Sequence, residues 1–337
     1  MKPPPVGRGV PDARPVIALR VIPSKHKGPT VMEPCDARAK CSPLTSDEGA
    51  TGSSPVSPSA LLKTSRREIA IGERTLVMGI INATPDSFSD GGRFPSPAMA
   101  VEEALRMVDD GADMIDIGGE SSRPGSDPVP AAEELRRVMP IIRGLAGKIS
   151  VPISIDTVKA VVAREALAEG AEIINDISAM TYDDGMASVA AGAGAALILM
   201  HMRGLPKTMQ TGDLMYRSLL GEVIAFLKER IDSAGQMGIT PAQIMIDPGI
   251  GFGKTALDNL RLIRRLDEFK VLGRPIVTGV SRKSFICHVT GGGPQERIDG
   301  TAAAVTAAIL NGCRVIRVHD VKTMKRVAAM ADALAGA

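Results

Sequence analysis

Residues 76–94 read LVMGIINATPDSFSDGGRF, and the order of apolar and polar residues in this segment indicates how the chain folds. The run is apolar up to residue 81, and a polar segment punctuated by proline and glycine follows it directly. This order is typical of a buried strand that ends in a loop, and such loops carry the binding and catalytic groups of many enzymes. The same order recurs along the chain, so it predicts a repeated strand-and-loop unit.

Seven more apolar runs end in polar residues. They lie at 112–119, 152–157, 172–178, 196–202, 244–249, 275–281 and 315–320. Most are nearly continuously apolar, as expected of parallel strands buried on both faces. Ala-, Leu- and Glu-rich stretches between them predict covering helices, among them 97–110, 131–146, 159–168, 219–234 and 256–266. Eight such units predict an α/β fold closed as a (β/α)8 TIM barrel, because an open doubly wound sheet would carry a glycine fingerprint after its first strand.

The N-terminal segment differs in composition from the rest of the chain. Eleven of the 24 prolines lie before residue 60, and the segment lacks the continuous apolar stretch of a signal peptide or membrane span. Such a segment buries too little apolar surface to offset the entropy of ordering. Its acidic residues argue against a transit peptide. We therefore expect a disordered extension at 1–65 and a catalytic barrel domain at 66–337.

Charge and cysteine usage narrow the class of protein. Residues 1–68 hold 11 basic and 6 acidic residues, whereas the other 269 hold 29 basic and 32 acidic ones, so the basic excess belongs to the N-terminal segment. Neither a nucleic acid nor a membrane is expected as a partner. The four cysteines include no C-x-x-C pair and the four histidines are scattered, so a structural zinc site is not expected. A reducing cytoplasm is the expected compartment.

The glycine-rich stretch GIGFGKT at 249–255 resembles two nucleotide-binding motifs but matches neither. A P-loop requires glycine where Pro248 stands, and a dinucleotide motif requires glycine where Lys254 stands. We expect a tight loop at the barrel rim from which Phe252 and Lys254 project.

Polar residues at strand ends indicate a binding pocket at the C-terminal end of the barrel. Asp156, Asn175 and Asp247 end three of the predicted strands, and barrel enzymes place their sites at this end. This set could ligate a hard cation or bind the edge of a polar heterocycle. The basic run at 281–284, together with Arg317 and His319, follows the last two strands, where barrels commonly bind phosphate. The two halves indicate a substrate that joins a heterocycle to a phosphate or pyrophosphate.

From about Ile69 to the C-terminus the sequence resembles the dihydropteroate synthase family of pterin-binding barrels. The motifs are NATPDSFSDGG at 82–92, DIGGESSRPG at 116–125, SIDT at 154–157, INDIS at 174–178, DPGIGFGK at 247–254, GVSRKS at 279–284 and RVHDV at 317–321. The resemblance implies a transferase of folate biosynthesis that condenses 6-hydroxymethyl-7,8-dihydropterin pyrophosphate with p-aminobenzoate, giving 7,8-dihydropteroate and pyrophosphate. It also implies Mg²⁺ as cofactor, a homodimer, and a target for sulfonamides that mimic p-aminobenzoate.

Carried over position by position, the resemblance implies a role for each site residue. The pterin would be bound by Asp156, Asn175, Asp247 and Lys283, the pyrophosphate by Asn82, Arg317 and His319, and p-aminobenzoate by Phe88, Ser122, Arg123, Pro124, Phe252 and Ser281. Asn82 would also ligate Mg²⁺, and the catalytic residues would be Lys283, Arg317, His319 and Asp247. Residues 84–94 and 121–125 would be mobile loops over the site.

One departure and two alternatives accompany this interpretation. The family usually has threonine at the position of Ser122, and serine keeps the hydroxyl but loses a methyl group, so we expect a small packing effect. A methyltetrahydrofolate-binding methyltransferase or a non-catalytic pterin-binding barrel would share the pterin pocket. Neither alternative needs the elements at 82–92 and 281–284 that would serve magnesium, pyrophosphate and p-aminobenzoate.

Overall fold

The computed structural model describes residues 60–83, 96–293 and 296–337, which form an antiparallel hairpin followed by an eight-stranded parallel sheet. The hairpin consists of β1 (Ala60–Lys63) and β2 (Glu68–Ile71). The sheet consists of β3 (Leu76–Asn82), β4 (Met114–Gly118), β5 (Ile153–Asp156), β6 (Ile173–Asp176), β7 (Ala196–Met200), β8 (Ile244–Asp247), β9 (Val277–Thr278) and β10 (Val315–Val318). Each sheet strand falls within or at the edge of a predicted apolar run.

The sheet closes into a barrel. Its strands follow the order β8-β7-β6-β5-β4-β3-β10-β9, and every neighbouring pair is parallel. The two ends of this order, β8 and β9, are joined by a parallel bridge between Ile246 and Ile276. This closure confirms the predicted (β/α)8 architecture.

Helices follow the sheet strands and cover the outside of the barrel. They are α1 (Pro97–Asp109), α2 (Ala131–Leu145), α3 (Ala160–Ala168), α4 (Met186–Ala193), α5 (Leu219–Gln236), α6 (Ala256–Arg264), α7 (Ser284–Thr290), α8 (Ile298–Leu310) and α9 (Val321–Gly336). The start of α6 is fixed by a reciprocal capping box between Thr255 and Asp258, whose side chains each accept from the other's backbone N–H. All five helices predicted from the sequence form, and no described helix is long and apolar enough to cross a membrane.

The strands bury both of their faces, but in two separate clusters. Outward side chains pack under the helices, and they include Val77, Ile115, Ile155, Leu197 and Ile316. Inward side chains form a second cluster, with Met78, Met114, Ile173, Met245 and Val315 among its members. Side chains alternate along a strand, so the residues two positions further on also point into the barrel, and most of these are polar. The polar strand ends therefore lie directly above an apolar plug.

The hairpin closes the N-terminal end of the barrel. Leu62 of β1 and Ile71 of β2 are almost fully buried and belong to the inward cluster. Glu172, just before β6, ties down the turn between the two strands. It accepts from Thr64 Oγ1 at 2.8 Å and from Arg67 Nε at 3.0 Å and Nη2 at 2.6 Å.

The hairpin also changes the boundary between the extension and the barrel. β1 lies inside the segment 1–65 that composition assigns to the disordered extension, whereas the structure shows an ordered strand from Ala60. The strand has only four residues, which is too short a run for its alternation to be read from sequence. Residues 1–59 lie outside the described residues, and their disorder stays a prediction.

Candidate active site

A hydrogen-bonded network of two carboxylates, one amide and one arginine lies at the C-terminal end of the barrel, with Asp116 and Asn175 buried and the other two members half-buried. Arg317 on β10 donates from Nε to Asp116 on β4 and from Nη2 to Asp156 on β5, both at 2.6 Å. Asn175 on β6 donates from Nδ2 to Asp116 Oδ2 at 3.1 Å. The structure therefore brings Asp156, Asn175 and Arg317 together. The sequence predicts that Arg317 binds phosphate, on the side of the site opposite Asp156 and Asn175, whereas in the structure it pairs with Asp156.

Burial shifts the protonation of these groups. It raises the pKa of Asp156 to about 7 even though Arg317 opposes the shift, and the nearby Asp116 adds to it. Burial also works against the charge of Arg317, but Asp116 and Asp156 outweigh it and raise the pKa of the guanidinium. A strongly perturbed carboxyl group in a cleft is typical of functional sites.

Asp247 at the end of β8 is a third carboxylate at this end of the barrel, and it is buried. Its Oδ1 accepts from the backbone N–H of Gly249 at 2.7 Å, which orients the carboxylate at the strand end. Burial raises its pKa, while the Gly249 hydrogen bond and the charge of Lys283 oppose the shift. The group keeps hydrogen-bond acceptor capacity for a ligand, because that bond uses one of its two oxygens.

Lys283 lies between the carboxylates and the loop after β8. Its Nζ donates to the carbonyl of Ile250 and lies 4.3 Å from the centre of the Phe252 ring. Burial lowers its pKa to about 8, with Asp247 opposing the shift. The structure thus joins Lys283 of the proposed pterin set to Phe252 of the proposed p-aminobenzoate set.

Basic and hydroxyl groups follow β9 and β10. Ser281 Oγ lies 3.0 Å from His319 Nδ1 and also accepts from the backbone N–H of His319 at 3.2 Å. Arg282 pairs with Asp320, donating from Nε at 2.9 Å and also from Nη2. Asp320 is the residue before α9, so Ser281 and His319 lie beside the N-terminus of that helix, where anions are favoured.

The loop after β4 carries Ser122, Arg123 and Pro124 on its outer side. Arg123 and Pro124 are exposed, and Ser122 is half-buried. The loop leans on the segment after β7: Gly125 donates its backbone N–H to Pro206 O at 3.1 Å. These three residues have no described contact with the carboxylate network, so the structure does not by itself bring them into the pocket.

The remaining predicted residues lie at the edge of the described chain. Asn82 is the last residue of β3 and is half-buried at the same end of the barrel. Phe88 and the rest of 84–95 lie outside the described residues. Within 60–83, 96–293 and 296–337, no group of three or more His, Cys, Asp or Glu side chains could hold a metal ion by themselves.

Two residues of the site differ from what the sequence indicates. Asp116 stands within a family motif with no predicted role, yet it is fully buried and holds Arg317; its signal was a carboxylate in the middle of the otherwise apolar strand MIDIG. The prediction that Lys254 projects from its loop is wrong. Lys254 is only 2% exposed and points inward, because four acceptors surround its Nζ.

Known proteins are similar to this chain over most of its length. A family model described as pterin binding enzyme matches residues 78–319. The chain belongs to the pterin-binding enzyme family. The dihydropteroate synthase of Synechocystis sp. is 50% identical over 264 residues, which cover 78% of this chain and 91% of that protein. Relatives of this kind place the chain among the dihydropteroate synthases, which are transferases of folate synthesis.

Solved structures of this enzyme class share the fold. The Xanthomonas albilineans dihydropteroate synthase with 4-aminobenzoic acid is similar with a TM-score of 0.77 and 40% identity, covering 83% of this chain and 99% of that one. The Yersinia pestis dihydropteroate synthase in a sulfonamide drug complex has a TM-score of 0.78 and 39% identity, covering 82% of this chain and 100% of that one. These matches confirm the family resemblance and the barrel fold.

Proposed function

We propose that the chain condenses 6-hydroxymethyl-7,8-dihydropterin pyrophosphate with p-aminobenzoate at the C-terminal end of its barrel, as its relatives' name implies. The observation that carries this proposal is the convergence of Asp116, Asp156, Asn175 and Arg317 in one hydrogen-bonded network. Such a network offers both donors and acceptors to a polar heterocycle. It lies on an apolar floor, which suits the flat ring of a pterin.

Recognition of the pterin is assigned to the buried amide, the two carboxylates and the lysine. Asp247 and Asp156 would accept from the amino group and ring N–H of the pterin, and Asn175 would both donate and accept. Lys283, already directed at a carbonyl in the structure, would donate to the pterin carbonyl and ring nitrogen. Negative charge beside the ring also favours the positive charge that develops as the C–O bond to pyrophosphate breaks.

The leaving pyrophosphate is assigned to Arg317, His319 and the start of α9. The ion pairs of Arg317 use Nε and Nη2, so Nη1 faces no carboxylate in them. Positive charge and helix N–H groups at this point would stabilise the negative charge that develops on the pyrophosphate, and stabilisation of this kind often contributes most to catalysis. This assignment makes Arg317 the link between the two halves of the substrate.

We propose Mg²⁺ as the cofactor, held by the amide oxygen of Asn82 and by oxygens of the pyrophosphate. A single protein ligand fits this ion, because Mg²⁺ keeps several waters and commonly binds through substrate phosphates. When bound, it would supply Lewis-acid stabilisation of the leaving group.

The p-aminobenzoate subsite is assigned to residues from three loops. Phe252 would contact the aromatic ring and Ser281 the carboxylate, and both lie beside Lys283 or His319 in the described structure. Phe88, Ser122, Arg123 and Pro124 would enclose the ring once their loops close and exclude water, which would otherwise capture the reactive pterin. Sulfonamides that mimic p-aminobenzoate would occupy the same subsite.

We further propose a homodimer and a cytoplasmic location. Exposed apolar residues on the neighbouring helices α6, α7 and α8 support an interface on this side of the barrel; they are Leu257, Leu260, Val289 and Ile298. Light scattering after gel filtration should give twice the chain mass. Cys287 and Cys313 are free thiols, which suits a reducing compartment.

Pyrophosphate release tests the proposed reaction. With Mg²⁺ and the pterin pyrophosphate, release should depend on p-aminobenzoate and should match the 7,8-dihydropteroate formed one to one. Release without p-aminobenzoate would indicate hydrolysis instead of condensation. Tight pterin binding with no release would favour a non-catalytic binding barrel, and methyl transfer from methyltetrahydrofolate would favour the methyltransferase alternative.

A further inference from the structure

Lys254 is buried beneath the loop after β8 and is surrounded by acceptors. Its Nζ lies 2.9 Å from His201 Nδ1 and donates to the carbonyls of Gly249 at 2.9 Å, Phe252 at 3.0 Å and His201 at 3.3 Å. Two of these carbonyls belong to its own loop, and two of the acceptors belong to the residue that follows β7. The side chain therefore ties the loop at 248–253 to the end of the neighbouring strand.

The backbone of this loop and of the neighbouring strand end gathers carbonyl oxygens at this position. An added Cβ on Gly249 would lie 1.9 Å from His201 O, so the two chains pass backbone against backbone with no room for a side chain. Gly249, Gly251 and Gly253 all have positive φ, at 71°, 86° and 64°, and in this tight loop the carbonyls of Gly249 and Phe252 both point at Lys254 Nζ. Carbonyls gathered in this way repel one another, and the ammonium group of Lys254 offsets that repulsion.

Burial and the neighbouring carboxylate act in opposite directions on the charge of Lys254. Burial lowers the pKa of Lys254 to about 7, with the charge of Asp247 opposing the shift. Burial, and to a smaller extent the charge of Lys254, lowers the pKa of His201 to about 3. His201 is therefore neutral in the neutral pH range, and when its ring carries the hydrogen on Nε2, Nδ1 is one of four acceptors that share the three N–H groups of the ammonium.

The opposite side of the same loop meets the proposed substrate residues. Gly249 N donates to Asp247 Oδ1 at 2.7 Å, and the carbonyl of Ile250 accepts from Lys283. The Phe252 ring lies 4.3 Å from Lys283 Nζ. A shift of the loop would thus move the orientation of Asp247, the anchor of Lys283 and the Phe252 ring together, and positioning errors of this kind are costly in catalysis.

We propose that Lys254 is a positioning residue for the condensation, whose ammonium group clamps the loop at 248–253 so that Phe252 and Lys283 are held for p-aminobenzoate and the pterin. Lys254 contacts neither substrate itself. This inference rests on the proposed assignment of Phe252 and Lys283 to the substrates. It adds a residue that acts from beneath the site.

Lys254→Met tests the clamp, because methionine keeps a flexible apolar stem of similar length and removes the ammonium group. We expect KM for p-aminobenzoate and for the pterin pyrophosphate to rise about tenfold, as for the loss of a charge-assisted hydrogen-bond set. The Kd of Mg²⁺-pyrophosphate should stay within about twofold, because that subsite does not touch the loop. Lys228→Met is the matched control, because Lys228 lies on α5, is exposed and pairs with Asp232 at 2.7 Å. Its two KM values and its Kd for Mg²⁺-pyrophosphate should stay unchanged.

Two further variants keep the proposal falsifiable. If Lys254→Met does not fold, Lys254→Gln keeps two N–H donors without the charge, and KM for p-aminobenzoate should still rise at least about threefold. An unchanged KM in a folded Lys254 variant, or an equal loss of pyrophosphate affinity, would overturn the clamp. Phe252→Ala separates this failure from a failure of the site: if Phe252→Ala weakens p-aminobenzoate binding and Lys254→Met does not, the site assignment stands and the clamp is wrong.

Discussion

At the N-terminal end of the barrel the inward side chains are apolar and the hairpin packs across them, whereas at the C-terminal end most of the inward side chains are polar or charged. Met78, Met114 and Met245 represent the first region, and Leu62 and Ile71 of the hairpin join them in one cluster. In the second region Asp116 and Asp247 stand two residues further along the same strands than Met114 and Met245, and on β5 Asp156 stands two residues after the buried Ser154. One strand set therefore builds both regions, and only the identity of the last inward residues separates them.

The contrast between the two ends of the barrel separates the residues that stabilise the fold from those that bind the substrate. Apolar burial at the closed end stabilises the fold in proportion to the area removed from water. Buried carboxylates at the open end do the reverse, because desolvation raises the pKa of Asp156 and Asp247 and makes their charged forms costly. We expect substitutions at the closed end to change stability, and substitutions at the open end to change binding.

The largest effect is expected at the closed end. Leu62→Ala should lower the free energy of unfolding by about 2–5 kcal/mol, because the side chain is 1% exposed and a cavity replaces it. Its neighbour Leu61 is 55% exposed, so Leu61→Ala is the matched control and should change stability little. Urea unfolding measures both.

Deletion of 1–65 should destabilise the barrel because it removes β1, whereas deletion of 1–59 should not.

At Asp247 we expect a smaller effect, which lowers substrate affinity and leaves stability intact. Asparagine keeps an oxygen for the Gly249 N–H and loses the charge, so the affinity for the pterin pyrophosphate should fall by about 1.5–3 kcal/mol. The raised pKa means that the folded state disfavours the carboxylate above its unfolded pKa near 3.9. At neutral pH the Asp247→Asn protein should therefore melt no lower than the original.

The open end should also respond to its ligands, unlike the closed end. If Mg²⁺-pyrophosphate organises the loops over the pocket, it should tighten sulfonamide binding by about tenfold or more, a coupling of about 1.4 kcal/mol. Arg123→Ala should reduce this coupling and leave pterin binding nearly intact, since Arg123 is exposed and outside the carboxylate network. Fluorescence or calorimetric titration of the sulfonamide, with and without Mg²⁺-pyrophosphate, measures this coupling. Equal sulfonamide affinities would mean that the subsite exists before the anion binds.

A carboxylate at the closed end should behave differently from Asp247. Burial acts to raise the pKa of Asp113, but bonds from Arg74, Lys325 and the Val77 N–H outweigh it and hold the pKa below its ordinary value. Asp113→Asn should therefore cost about 1 kcal/mol at neutral pH. The difference should persist down to about pH 4 and vanish as the pH falls through the folded pKa.

Unfolding experiments between pH 7 and pH 3 measure this dependence for Asp113. Asp232→Asn is the control, because Asp232 is in an exposed i,i+4 pair with Lys228 and should contribute little at any pH. A cost that stays constant across the whole range would show that the charge of Asp113 is not what stabilises this end.

The sequence predicted the repeated features of the molecule better than its long-range pairings. Strands and helices could be predicted because apolar runs and helix-forming stretches are local patterns. The hairpin was missed because its strands are short, and Asp116 was missed because its partner Arg317 is 201 residues away. Lys254 was misread because a lysine in a glycine loop is normally exposed, and only the packing of carbonyls around it shows the reason for burial.

Calorimetric titration of the pterin pyrophosphate into Leu62→Ala and Asp247→Asn, side by side, tests the division between the two ends most directly. We predict original affinity in Leu62→Ala despite its lower stability, and an affinity reduced about 10- to 100-fold in Asp247→Asn despite undiminished stability. Equal affinities in the two variants, or weaker binding in Leu62→Ala alone, would contradict the claim that the C-terminal end of the barrel binds the pterin.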